Sequence, residues 1–191
     1  MVICRANAEC RGIFMKTIGI VGGAGPAASV ALVQRMIELC QSEYGCYRDS
    51  DFPKVILISF PFSEMLKGEI AAKRVAGELS CCLEMLRNNG AEVCAIACNT
   101  LHAFLARDQE EGLVLLPDVG AEMTEESLPL VLCTTTSARF GVHRRFFRCH
   151  YLNEQWQAEL DGIIEEILQG KARAEELSKI ILAQEAPDFD S

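Results

Sequence analysis

The residue with most chemical promise is Cys98. It stands at the end of an apolar run, Glu92 to Ala97, and leads straight into Asn99-Thr100-Leu101-His102. A thiolate is both nucleophile and base. Asn99 and Thr100, the next two residues, carry hydrogen-bonding side chains, and a thiol at this strand end would face the crevice. A short helix starting here would lower the thiol pKa from about 8.5 toward neutrality. His102 lies close enough to donate a proton, to orient the thiol, or to be no more than a surface residue at a helix start. Read for packing alone, Cys98 is a buried small hydrophobe. A second run ends the same way, Leu130-Val131-Leu132-Cys133-Thr134-Thr135, so the residues alone invite pairing Cys133 with Cys98 across a crevice. A third feature is Gly22-Gly23-Ala24-Gly25-Pro26. Its backbone N–H groups, those of Gly23 and Gly25 included, suit a carboxylate or phosphate at a helix start. Position 28 is Ala and no Lys-Ser/Thr follows, so neither the dinucleotide fingerprint nor a P-loop is present.

These three features share one setting: each follows a buried strand. The periodicity predicts strands over 17–21, 55–60, 92–97, 113–116 and 129–133. Helices are expected over 27–43, 70–88, 121–127, 153–169, with Asn153 as N-cap, and 172–183. Alternating strands and helices give βαβ units and hence an α/β fold with parallel sheets. Ligands of such sheets bind beyond the carboxyl ends of the strands, where Gly22–Gly25, Cys98–Thr100 and Cys133–Thr136 all fall. Cys94, on the same strand as Cys98, reads as packing. Residues 1–14 have no periodicity and read as an extension expected to be poorly ordered; the fold begins at Met15. A first α/β unit spans 15–117. A second, 118–191, begins similarly and ends after a helix, where another strand would be expected. It reads as incomplete.

Composition narrows the function. Lys and Arg number 18 against 27 Asp and Glu, a formal charge of -9, which disfavours a nucleic-acid partner because phosphate contacts need surplus cations. The acidic helices after Asn153 read as a solvated face. No stretch is long and apolar enough to span a bilayer. Ten Cys with no Cys-x-x-Cys pair, and only three His, argue against a structural zinc site and for reduced thiols in a cytoplasmic protein. An incomplete second sheet would leave apolar faces bare, so a partner, such as a second copy in a homodimer, or low solubility is expected.

The stretch Met15 to Pro26 (MKTIGIVGGAGP) together with Cys98-Asn99-Thr100-Leu101-His102 resembles the aspartate/glutamate racemase family, and Leu132-Cys133-Thr134-Thr135-Thr136 resembles its threonine-rich loop. The resemblance runs from Met15 to the end of the chain. It implies two similar parallel-sheet α/β domains with the active site between them. It also implies racemisation without pyridoxal phosphate or any other cofactor, one thiolate removing the α-proton while an opposite thiol delivers one. Inversion requires that acid and base flank one carbon. Cys98 matches the first thiol, and Asn99, Thr100 and Thr135 match residues that hold the substrate, a small acidic amino acid or dicarboxylate; Thr134 lies beside them. The family's Gly-Cys-Thr-Glu loop is absent from the chain, so impaired racemisation is expected; Cys133, the substitute that the residues alone suggest, falls where the family commonly has a small residue, and the resemblance does not support it. Aspartate-specific members place a carboxylate-binding Arg after the segment matching Phe60-Pro61-Phe62. Here Leu66 stands in that position, with Lys67 beside it. A one-cysteine lyase, decarboxylase or isomerase acting on a dicarboxylic acid is the rival enzyme; a non-catalytic protein binding a small anion or a partner is the rival from another class.

Overall fold

A computed structural model describes residues 16–66, 69–115 and 128–172. Its centre is a four-stranded, wholly parallel sheet in the order β2-β1-β3-β4, with β1 at Ile18–Gly22, β2 at Val55–Ser59, β3 at Val93–Ile96 and β4 at Leu113–Val114. The connections are helical: α1 (Pro26–Tyr44) joins β1 to β2, and α2 (Ala72–Asn88) joins β2 to β3. Parallel neighbours require such crossovers, because a tight turn cannot return the chain to the same end.

The side chains explain why these segments take these forms. Pro26 sits in the first turn of α1, where a missing N–H costs nothing. In α2 the apolar residues Val75, Leu79, Cys82, Leu83 and Leu86 recur at helical spacing, and all are fully buried. That stripe packs on Val21, Cys94 and Ile96 of the sheet, with Ile56 and Ile58 alongside. Each such Leu, taken out of water, contributes about 1.5–3 kcal/mol, which makes this face the main core. The opposite face, under α1, is less closed: Leu57 remains 40% exposed and Val30 62%. A cavity of about 310 Å³ opens there between α1 and the β2 edge, lined by Val33, Met36, Ile37, Cys40, Phe52, Pro53 and Val55.

Residues 128–172 form smaller clusters. Cys133, Cys149 and Tyr151 pack together, and Leu152 and Leu160 gather Leu130, Leu132 and Trp156. The helices here are α3 (Thr135–Arg139) and α4 (Glu154–Leu168), the latter capped by Asn153, whose side chain accepts from the Trp156 amide at 3.1 Å. The strand expected at 129–133 is a correction. Only one parallel bridge forms, Leu130 with His150, because a strand exists by pairing and only the short stretch around His150 lies alongside among the described residues. The expected helices at 121–127 and 172–183, the extension at 1–14, the boundary at 117/118 and Lys67 all lie wholly or almost wholly outside the described residues.

Among the described residues no helix is long and apolar enough to cross a membrane, and no group of His, Cys, Asp and Glu could hold a metal ion.

Candidate active site

Strand order decides where the site lies. From β1 the chain crosses to β2 on one side, then back over β1 to β3 on the other. The crevice at that reversal, beyond the carboxyl ends of β1 and β3, is where α/β sheets bind ligands. The glycine turn leaves β1 there, and Cys98 leaves β3 there. The two are tied across the sheet by the Ala97 amide, which donates to the Val21 carbonyl at 2.8 Å.

Gly23 adopts φ +100°, and any Cβ on it would run into the Phe60 backbone. It is therefore required for the close approach of the turn to the end of β2. Gly25, at φ +77°, is the N-cap of α1 and offers it no side-chain bond; Leu168 at the end of α4 closes over it. So α4 reaches back to the glycine turn.

Cys98 is half-buried, whereas Cys94 and Cys133 are buried in apolar clusters. After it the chain enters a 3-10 turn, Thr100–Phe104, rather than an α-helix. The expected drop in the Cys98 pKa is overturned. Burial pushes the thiol up, and the backbone N–H groups of Leu101 and Thr100, with the Thr100 hydroxyl, only partly offset this. Desolvation penalises the charged sulfur more than two or three donors repay.

Around the thiol, Asn99 is exposed and Thr100 is buried. Thr100 Oγ1 lies 3.0 Å from Thr134 Oγ1 and 3.0 Å from Ser137 Oγ, and the Thr134 hydroxyl donates to Ser137 Oγ at 3.1 Å. This hydroxyl triangle joins the β3 turn to the start of α3, so the threonine-rich segment does meet the Cys98 segment. Thr134 is also the N-cap of α3, accepting from the Ser137 amide at 3.2 Å. Thr135 turns away from Cys98: its amide and hydroxyl both go to the Asp161 carboxylate, at 3.1 and 2.6 Å. Thr136 gives its hydroxyl to the Met65 carbonyl at 2.6 Å, which holds the loop that carries the half-buried Leu66.

Cys133 does not share the site with Cys98 as a reactive thiol. Burial, then the neighbouring Cys149 and Asp161, push its pKa to about 12. Its carbonyl accepts from Gln157 Nε2 at 2.8 Å. His102 is not a surface residue: it is 1% exposed, and its Nδ1 lies 3.0 Å from the Cys98 carbonyl.

Sequence reasoning missed Ser137, Gln157, Asp161 and Arg145. Ser137 directly follows the flagged threonines and needed only the turn geometry to be seen. Gln157 and Asp161 stand on the helix read as a solvated acidic face, yet they sit one helical turn apart beside the buried Leu160. A polar pair on the apolar stripe was the available signal.

No protein-family model matches the chain. It is 23% identical to the broad-specificity amino-acid racemase RacX of Bacillus subtilis over 162 residues, 80% of this chain and 71% of that protein. Among solved structures, an aspartate racemase homologue from Pyrococcus horikoshii superposes with a TM-score of 0.61 at 23% identity, covering 85% of this chain and 76% of that one. The chain has the fold of the aspartate/glutamate racemases. A glutamate racemase from Thermus thermophilus extends the likeness in fold at 14% identity, TM-score 0.53, with 90% of this chain and 63% of that one covered. Within this shared fold the crevice of the β2-β1-β3-β4 sheet carries the glycine turn and Cys98, and residues 128–172 close on it through Thr134 and Leu168.

Proposed function

We propose that this chain acts on the α-carbon of a small acidic amino acid, with the Cys98 thiolate as the base that removes and returns the α-proton and no pyridoxal phosphate involved. The observation that supports this best is the position of Cys98: a half-buried thiol at the switch point of the sheet, with backbone N–H groups and a hydroxyl acting on its sulfur. The carbanion left by proton removal needs donors aimed at the carboxylate; Asn99 and the amides of the Gly23–Gly25 turn are the groups for that role. Thr100 and Thr134, bonded to each other, brace the site from the side of α3. Leu66 occupies the sequence position where aspartate-specific racemases carry a carboxylate-binding Arg, in keeping with the similarity to a broad-specificity amino-acid racemase.

Inversion also needs an acid on the opposite face. Among the described residues one reactive thiol reaches the crevice, since Cys133 is core. That favours exchange at one face: proton removal and return without net racemisation. It equally suits the one-cysteine reading, in which the same thiol serves a lyase or isomerase on a dicarboxylic acid.

The test is incubation of L- and D-aspartate and glutamate in D₂O, following Cα deuteration by NMR and optical rotation in parallel. Deuteration without loss of rotation, abolished in Cys98→Ser and kept in Cys133→Ala, is the expected result. Full racemisation that survives Cys133→Ala would overturn the one-face reading. Turnover of maleate or a malonate, lost in Cys98→Ser, would replace it with the rival enzyme.

A further inference from the structure

One residue makes two hydrogen bonds back to the start of the turn that carries Cys98. His102 Nδ1 sits 3.0 Å from the Cys98 carbonyl oxygen, and the His102 amide donates to the Asn99 carbonyl at 3.1 Å. A carbonyl can only accept, so the hydrogen is on Nδ1 and the bare ring nitrogen is Nε2. That Nε2 is buried and has no hydrogen-bond partner among the described residues. The His102 carbonyl in turn accepts from Arg145 Nη1 at 3.3 Å, while Arg145 Nη2 pairs with Glu110 at 3.0 Å. The charged and titratable groups that act on the ring are Arg145, Glu110 and His143, and Leu101 and Phe104 of the same turn are also buried.

For packing alone, a histidine here is a poor choice. A leucine or phenylalanine would fill the space without burying an unsatisfied nitrogen, which carries a desolvation cost. What the imidazole supplies and those residues cannot is the Nδ1 bond to the Cys98 carbonyl. That bond closes the Cys98–His102 turn, and the turn's own amides, Thr100 and Leu101, are the ones that act on the sulfur.

We infer that His102 is a positioning residue for Cys98: it clamps the turn so that the Thr100 and Leu101 amides face the sulfur, and Arg145 anchors the clamp to residues 128–172. The inference rests on the reading of Cys98 as the reacting group, but its test does not require turnover.

The decisive comparison is His102→Asn against His102→Gln and His102→Leu. Asparagine places an N–H where Nδ1 stands; glutamine reaches instead to the place of Nε2. The rate of Cys98 alkylation by iodoacetamide is followed against pH by peptide mass spectrometry, with circular dichroism as a check on folding. In His102→Leu and His102→Gln the sulfur stays half-buried and loses aligned donors. The alkylation midpoint is expected to rise by about one pH unit, so alkylation at pH 7.5 slows about tenfold. His102→Asn is expected to stay within about twofold of the unmodified chain. Equal slowing in all three variants, or an unmoved midpoint in a folded His102→Leu, would overturn the inference. Should His102→Leu fail to fold, Arg145→Met decides: it removes the anchor from an exposed side chain and should raise the midpoint by a smaller amount, and no shift there counts against the clamp. Parallel D₂O exchange separates the two readings. The Asn-over-Gln order with no Cα exchange in the unmodified chain retires the proposed function and keeps the clamp; exchange with no such order does the reverse.

Discussion

Replacing Thr100 and Thr134 by valine tests whether the two parts of the chain are joined by a cooperative network. The substitutions are nearly isosteric, so they remove hydrogen bonds without opening a cavity. Thr100→Val deletes its two contacts, to Thr134 and Ser137. At about 1 kcal/mol per buried hydrogen bond it should cost about 2 kcal/mol. Thr134→Val deletes its contacts to Thr100 and Ser137 and also the cap of α3. With about 1 kcal/mol for the cap it should cost about 3 kcal/mol. The bond between the two residues is counted in both single variants but lost only once in the double. The double variant should therefore cost about 4 kcal/mol, a coupling of about 1 kcal/mol, above the roughly 0.3–0.5 kcal/mol scatter of independent sites. Urea unfolding followed by the single Trp156 fluorophore, on the adjacent α4, measures each value. A double variant equal to the sum of the singles would refute the triangle, and with it the claim that residues 128–172 brace the Cys98 turn.

Three further outcomes are expected. His102 and His143 are both held below the ordinary histidine pKa, chiefly by burial. The folded state therefore binds fewer protons than the unfolded one near and below pH 6.5, so stability is full above about pH 6.5 and falls as pH drops through that value. Thermal melts between pH 5 and 8 check this, and a His143→Phe variant should show a shallower decline. Gly23→Ala should lower stability by at least about 2 kcal/mol, since both its positive φ and the Phe60 backbone oppose a side chain; a melt within a degree of the unmodified chain would show that the turn can move. Because burial raises the Cys98 pKa, Cα exchange should keep climbing with pH above neutrality. A rate that levels off by pH 7 would mean that the base is another group or that substrate binding depresses the thiol.

Much of the core and the location of the site was legible from residue order. The spacing of Val75, Leu79, Leu83 and Leu86 gives α2 and its buried face, and the apolar runs at 18–22, 55–59 and 93–96 give the strands, because a local period of side chains selects which face can be buried. Two residues placed just after such strands, Gly23 and Cys98, could be assigned to one crevice from topology alone. The run at 129–133 has the same composition and fails as a strand, because pairing depends on what lies beside it and not on the run itself.

What the sequence determined by itself is the inventory: a thiol and glycines after parallel strands, threonines after another apolar run, and a surplus of carboxylates. Tertiary structure decided what each member does. It buried Cys133 and turned Asp161 inward onto Thr135. It drew Thr134, rather than Thr135, to Thr100, and His102 onto the Cys98 carbonyl. The sign of the Cys98 shift was settled there too. A helix dipole can be guessed from a few consecutive residues, but desolvation is set by every atom that excludes water from the sulfur, and those atoms come from segments far apart in the chain.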